Sequence, residues 1–346
     1  MGTAVAPIRP VLPQDSRSAL CLLALLTVAL FLWSLSTGAL ELSWKELLLA
    51  LLGRGDARAC RVLWDLRLPR ALGAVLAGGG LSVGGLALQG LLRNPLAAPS
   101  TLGINSGAAL GANLAILLAP ATLLAWATPL CAFLAALSFA LLVTTLARHR
   151  AFTPEAVVLT GMALNAMALA AIALLQCFAQ DTQLSSALFW TFGDLGRITL
   201  KQCLPLALVT AAVLAWLLRH QWQCQALEWG DPTAESLGVD TRRLRRHGIL
   251  LVALVTATAV SLMGILGFLG LLAPHLAKRL LRGSHSGLLP AAFLAGATLL
   301  LLADLLCRLP AWGVLLPAGA LTSLFGAPLF LALLGFTRKP TGGDRP

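Results

Sequence analysis

Asp304 stands four residues before Arg308, and Arg67 and Arg70 bracket a Leu-Pro pair. The stretch 220–247 sets Glu228, Asp231, Glu235 and Asp240 beside Arg242, Arg243, Arg245 and Arg246. In a chain with 11% charged residues these are the places where chemistry could be done. A carboxylate one helical turn from an arginine pairs with it and fixes a helix end. Catalysis would need a convergent set of nucleophile, acid and base, and no such set is visible. There is no GxxxxGK[ST] and no Gly-Lys pair anywhere, so any ATP chemistry must come from another chain and no bound cofactor is expected. HExxH is absent and the five histidines are scattered; His275, the one inside a predicted span, reads as a side chain bonded to neighbouring backbone. The seven cysteines form no CxxC or Cys/His cluster, so they read as small core residues and no metal site is expected.

The elements that position these residues belong to a membrane protein. Hydrophobic residues make up 58% of the 346, far above soluble averages, and mean hydropathy is +0.85. The net charge of +11 falls in short clusters between apolar runs, as membrane orientation requires, and no aromatic platform accompanies it. Nucleic acid is excluded as a partner.

Residues 1–17, with Pro7, Pro10, Pro13, Arg9 and Arg17, predict a disordered cytoplasmic tail. The apolar run 18–35 is longer than a signal peptide and lacks a small-residue cleavage site, so it is the first span. A mixed outer segment precedes the glycine-dense second span, 71–92, whose small residues let helices approach closely. The stretch after Pro95 is irregular or re-entrant and leads into a third span ending near Pro120. Spans four (123–147), five (154–178) and six (200–218) follow. The run 248–281 has basic clusters at both ends, which places both on one side; it crosses twice and turns at Gly264, Gly267 and Gly270. Spans nine (288–306) and ten (314–336) complete an all-α polytopic fold of ten transmembrane helices, a single domain over 18–337, with a tail 338–346 and both termini cytoplasmic. Lys45, Arg54, Arg58, Arg61, Arg67, Arg70 and Arg308 then lie outside, more cations than orientation needs, and an acidic docking partner would account for them.

The segment 220–247 is too polar for a bilayer and must lie in water. Pro232 behind Asp231 starts a short helix that Gly238 ends. So short a helix between spans has little core of its own, and reads as something offered to a partner.

Several stretches together resemble one family. RLPRALGAVLAGGG with RNPLAAPSTLG, then GFLGLLAPH, ADLL and GAPLF, in this order and spacing, are similar to the membrane subunits of ATP-binding-cassette importers for ferric siderophores, haem and cobalamin, the FecCD-type permeases of type II importers. The resemblance covers nearly all of the chain after residue 20. It implies two permease subunits, identical or different, around a central path, two cytoplasmic ATPase subunits, and a periplasmic or lipid-anchored binding protein that delivers substrate to the cytoplasmic membrane. Gly230, Asp231, Ala234, Glu235, Leu237 and Gly238 match the ATPase coupling segment, with Glu235 where the family carries arginine. Arg67, Arg70 and Arg308 match the outer residues that dock the binding protein. Thr153, Pro154 and Glu155 fall at the inner gate, and Met162 and Asn165 on span five would line the path. A permease for bare metal ions would need ligands along the path, where only His275 is available. A secondary transporter would need mid-membrane carboxylates, and none is placed there.

Overall fold

The computed structural model describes residues 14–38, 42–148, 152–281, 287–309 and 316–335. The tail 338–346 and the first thirteen residues of the predicted 1–17 tail lie outside them. In chain order the helices are α1 (Gln14–Ser36), α2 (Trp44–Leu51), α3 (Ala57–Arg61), α4 (Leu68–Leu91), α5 (Ile104–Leu118), α6 (Leu124–Arg148), α7 (Pro154–Gln176), α8 (Asp181–Thr191), α9 (Leu200–Arg219), α10 (Gln221–Glu228), α11 (Asp231–Ser236), α12 (Thr241–Met263), α13 (Leu269–Leu280), α14 (Leu288–Cys307) and α15 (Ala318–Gly335). α1 starts at Gln14, so the last four residues of the predicted tail are helical, directly after the final proline of that tail.

Each of the ten predicted spans has a helix, but they are not equal. Among the described residues seven, namely α1, α4, α6, α7, α9, α12 and α14, are long and apolar enough to cross a membrane. α5 and α15 are shorter apolar helices, and the 12 residues of α13 rise only about 18 Å, against a hydrocarbon core of about 30 Å. The remaining depth there belongs to non-helical residues 264–267, bent by Gly264 (φ +77°) and closed by Phe268 (φ +62°). Irregular backbone at such depth needs protein around it. Here the Asp194 amide donates to Met263 O at 2.6 Å, tying the 192–199 connection onto the break. Residues 95–103 are likewise non-helical, with Ala97, Ala98 and Leu102 buried and Thr101 Oγ1 donating to Ala98 O at 2.7 Å.

α4 is the axis of the bundle. In the 35-residue helical stretch that contains it, 78% of the most apolar window is buried, against 28% for α7 and α9. Its glycines make this possible. At Gly85 an added Cβ would fall onto the Gly270 backbone of α13, and at Gly78 onto Gly296 O of α14. Gly85→Ala must push two backbones apart, an overpacking that costs about 1–3 kcal/mol or more. Gly90→Ala meets open space and keeps or slightly raises stability, since glycine inside a helix costs about 0.5–1 kcal/mol relative to alanine. Thermal melts of the two detergent-solubilised variants should therefore move in opposite directions; a matching loss in both would mean that backbone contact is not what selects glycine at residue 85.

Candidate coupling and docking sites

At one end of the bundle α11 sits where its sequence starts and stops it. Gly230 (φ +103°) precedes it, Pro232 occupies its first turn and Gly238 (φ +84°) follows. Ala234 is fully buried among Leu91, Ala226, Leu227, Val239 and Leu244, whereas Leu237, Trp222 and Trp229 on and beside α11 stay exposed. Burial helped by the Glu228 charge pushes the nearby Cys224 thiol up to about 11, which suits packing rather than reactivity. Asp231 receives both Nη atoms of Arg245, at 2.7 Å to Oδ2 and in a second short bond to Oδ1. Arg245 Nε donates to Leu91 O at 2.8 Å, at the C-terminal end of α4, and Arg93 lies 3.6 Å from the same carboxylate. The hydrogen-bonded Arg245 holds the Asp231 carboxyl below the usual range, against the opposing effect of partial burial, and the charges of Arg245 and Arg93 add to it. Glu235 accepts from Thr241 Oγ1 at 2.9 Å and fastens α11 to the start of α12. Arg245 is 1% exposed, and nothing in the RRLRR run by itself sets it apart from its neighbours.

At the opposite end Asp304 is fully buried between two guanidiniums, with Arg70 Nε and Arg308 Nη2 each 2.7 Å from one of its oxygens. The expected Asp304–Arg308 pair is therefore one half of a larger cluster. Arg308 also donates to Ser34 Oγ at 2.6 Å and to Thr37 O at 3.1 Å, and Arg67, 5% exposed, donates to Leu35 O and Ser36 O at 2.8 and 2.9 Å. Two cations thus satisfy orphan carbonyls at the C-terminus of α1 and favour its dipole. As placed here, the three arginines expected to dock a partner hold α1, α4 and α14 together from inside. The cations on the surface at this end are Lys45, Arg54, Arg58 and Arg61, on and between α2 and α3, together with Arg197 just before α9 and Lys201 in its first turn.

The residues expected at the inner gate stand at the start of α7. Thr153 Oγ1 accepts from the Ala156 amide at 3.3 Å as N-cap, Pro154 is buried in the first turn and Glu155 is exposed. Met162 is 57% exposed on the same helix, and Asn165 Oδ1 accepts from Ser106 Oγ, linking α7 to α5. His275 Nδ1 is 2.8 Å from Leu271 O, and its ring meets Phe330 edge-on at 5.1 Å. All seven cysteines are unpaired; Cys203 and Cys307 are buried, but Cys21 and Cys177 are exposed on helix faces rather than in the core.

The FecCD transport family model matches residues 25–335, nearly the whole chain. The chain belongs to that family. It is similar to the hemin transport system permease protein HmuU of Yersinia pestis, 37% identical with 93% of this chain and 96% of the relative covered. It is also similar to the vitamin B12 import system permease protein BtuC of Vibrio cholerae, 36% identical with 79% and 82% covered. Among solved structures, a metal-chelate type ABC transporter in an inward-facing conformation superposes with a TM-score of 0.82 at 31% identity, covering 92% of this chain and 99% of that one. The FecCD member described here is accordingly a transport permease and not an enzyme, and as such works with an ATPase and a substrate-binding partner.

Proposed function

We propose that this permease forms the path of an importer for an iron chelate, haem or cobalamin in the cytoplasmic membrane, with both termini and α11 on the cytoplasmic side. A dimer of ATPase subunits grips α11, and a second permease subunit, identical or different, completes the path. One observation carries this reading: α11 is fastened to the bundle through Asp231, Ala234 and Glu235 while Leu237 and Trp229 project outward, 54% and 81% exposed. A lever needs such a fixed side and a free side, so that closure of a nucleotide-driven partner tilts the helices it is pinned to. Gly230 and Gly238 supply the turns at either end of the lever.

At the other end, an acidic binding protein would meet the exposed Lys45, Arg54, Arg58 and Arg61, with Arg67, Arg70 and Arg308 adding their charge from beneath. Thr153, Pro154 and Glu155 form the inner gate at the mouth of the path, and the α7 face bearing Met162 lines it, with Asn165 setting its distance from α5. No bound cofactor is assigned to the chain; nucleotide belongs to the ATPase.

Replacing residues 231–236 by a flexible Gly-Ser segment is expected to abolish ATPase co-purification and ATP-dependent uptake into proteoliposomes, while membrane insertion persists. Uptake that survives the replacement, or that proceeds without nucleotide, would identify a different kind of carrier.

A further inference from the structure

Apart from Arg245, the arginines of the polar loop have no partner in the coupling contact. Arg242, Arg243 and Arg246 of α12, with Arg148 at the end of α6, line an open cavity of about 580 Å³ that Phe152 and Asp240 complete. Among the described residues lining it, Asp240 is the one acid, and its carboxylate accepts from the Arg243 amide at 2.9 Å as the N-cap of α12. Among the described residues no carboxylate lies within ion-pair distance of these four arginines, although guanidinium forks are well suited to carboxylate and phosphate.

The second observation is the register of α6. Its exposed residues include Leu130, Leu134, Ser138, Leu141, Thr145 and Arg148, successive steps of three or four residues that trace one stripe along the helix. Leu142 and Leu146 flank it and are also exposed. The stripe is mostly leucine along the length that a bilayer would cover, and it ends in arginine at the cavity. An aqueous anion would have no use for the leucines, and a protein partner of the water-exposed face could not reach them. A molecule with a hydrocarbon tail and an anionic head matches both parts.

We propose that this cavity binds the phosphodiester headgroup of an anionic phospholipid, whose acyl chains lie along the exposed leucines of α6. Basic pockets at the membrane surface hold anionic headgroups by this pairing of charge with adjacent hydrocarbon. The site does not depend on which cargo is carried, and because it lies close to α11 the test below separates lipid binding from ATPase contact.

The test is native mass spectrometry of the full chain in detergent, titrated separately with phosphatidylglycerol, phosphatidylcholine and glycerol 3-phosphate. Phosphatidylglycerol should bind most tightly, and Arg242→Gln and Arg243→Gln should each weaken it by roughly fivefold while leaving phosphatidylcholine unchanged. Leu141→Ser with Leu142→Ser should weaken both lipids. Arg148→Gln and Arg246→Gln extend the series, and unchanged melting temperatures, expected because Arg148, Arg242 and Arg243 are exposed, keep folding out of the comparison. Equal binding of the two lipids by the unaltered chain would overturn the proposal, as would glycerol 3-phosphate binding as tightly as phosphatidylglycerol. So would loss of ATPase co-purification in the glutamine variants with lipid binding intact, which would make the cluster an ATPase contact.

Discussion

Replacing Asp304 by alanine is expected to cost this permease about 3–5 kcal/mol of stability, the range for removing one partner of a buried ion pair. The aspartate is fully buried, and its two partners are nearly so, with Arg70 and Arg308 side chains 12% and 7% exposed. Without Asp304 both guanidiniums stay where helix packing puts them, with one carboxylate fewer to share. Asp304→Asn keeps the shape and an acceptor but not the charge, and should fall between. The informative variant is the triple Arg70→Met, Asp304→Ala, Arg308→Met. Taking out the whole set removes the uncompensated charge, so it should be more stable than Asp304→Ala alone. It should still fall short of the unaltered chain, because Arg308 also serves the end of α1. Thermal denaturation in detergent decides: a single variant that melts like the parent would show that the cluster contributes no stability.

The second large effect is expected at Arg245. Arg245→Met strips Asp231 of its bidentate partner and the Leu91 carbonyl of its donor, and so removes the strongest tie of α11 to α4 and α12, leaving Arg93 and the Glu235–Thr241 bond. A loss of about 3 kcal/mol in that attachment lowers the docked population roughly a hundredfold relative to the undocked one. ATP-dependent uptake should therefore collapse while the protein still inserts and can still be purified. Arg245→Lys should recover only part, since an ammonium cannot span two carboxylate oxygens and a backbone carbonyl at once. The pH dependence has a definite sign. The folded-state Asp231 carboxyl is depressed below its ordinary value of 3.8, so its contribution is fully present above that value and is lost as pH falls through the lower, folded one. The difference in uptake between Arg245→Met and its parent should be constant between about pH 5 and 9. Full uptake by Arg245→Met would rule out this residue as the pin.

Much of this architecture could be read from residues alone because bilayers enforce long apolar runs and cations mark their ends. The split of 248–281 into two helices followed from charge parity, and the α11 boundaries followed from Pro232 behind Asp231 and from Gly238. What stayed hidden was which charge faces inward. RRLRRH looks uniform until helical register is imposed; then Thr241, Leu244, Arg245 and Gly248 fall on one buried stripe, so Arg245 was in principle legible from spacing. Asp304 and Arg70 are 234 residues apart, and no local pattern brings them together. The family resemblance marked Arg67, Arg70 and Arg308 as a group but was silent on their burial, which depends on how far α1 ends beneath them.

Where glycine removes the side chain between two helices, neither can slide past the other without a collision of main chains. α4, α13 and α14 are keyed in this way through Gly85 and Gly78, while Gly111 sets α5 against the Cys131 carbonyl of α6 and Gly161 sets α7 against Leu102. Two stiff blocks result. Between them runs α12, which meets α4 through the methyl groups of Val252 and Val255 seated over Gly84 and Gly80, a softer joint. The helix along this seam carries Arg245 in its first turns, and Arg245 also bonds the end of α4, so α11 is tied at once to one plate and to the softer joint beside it.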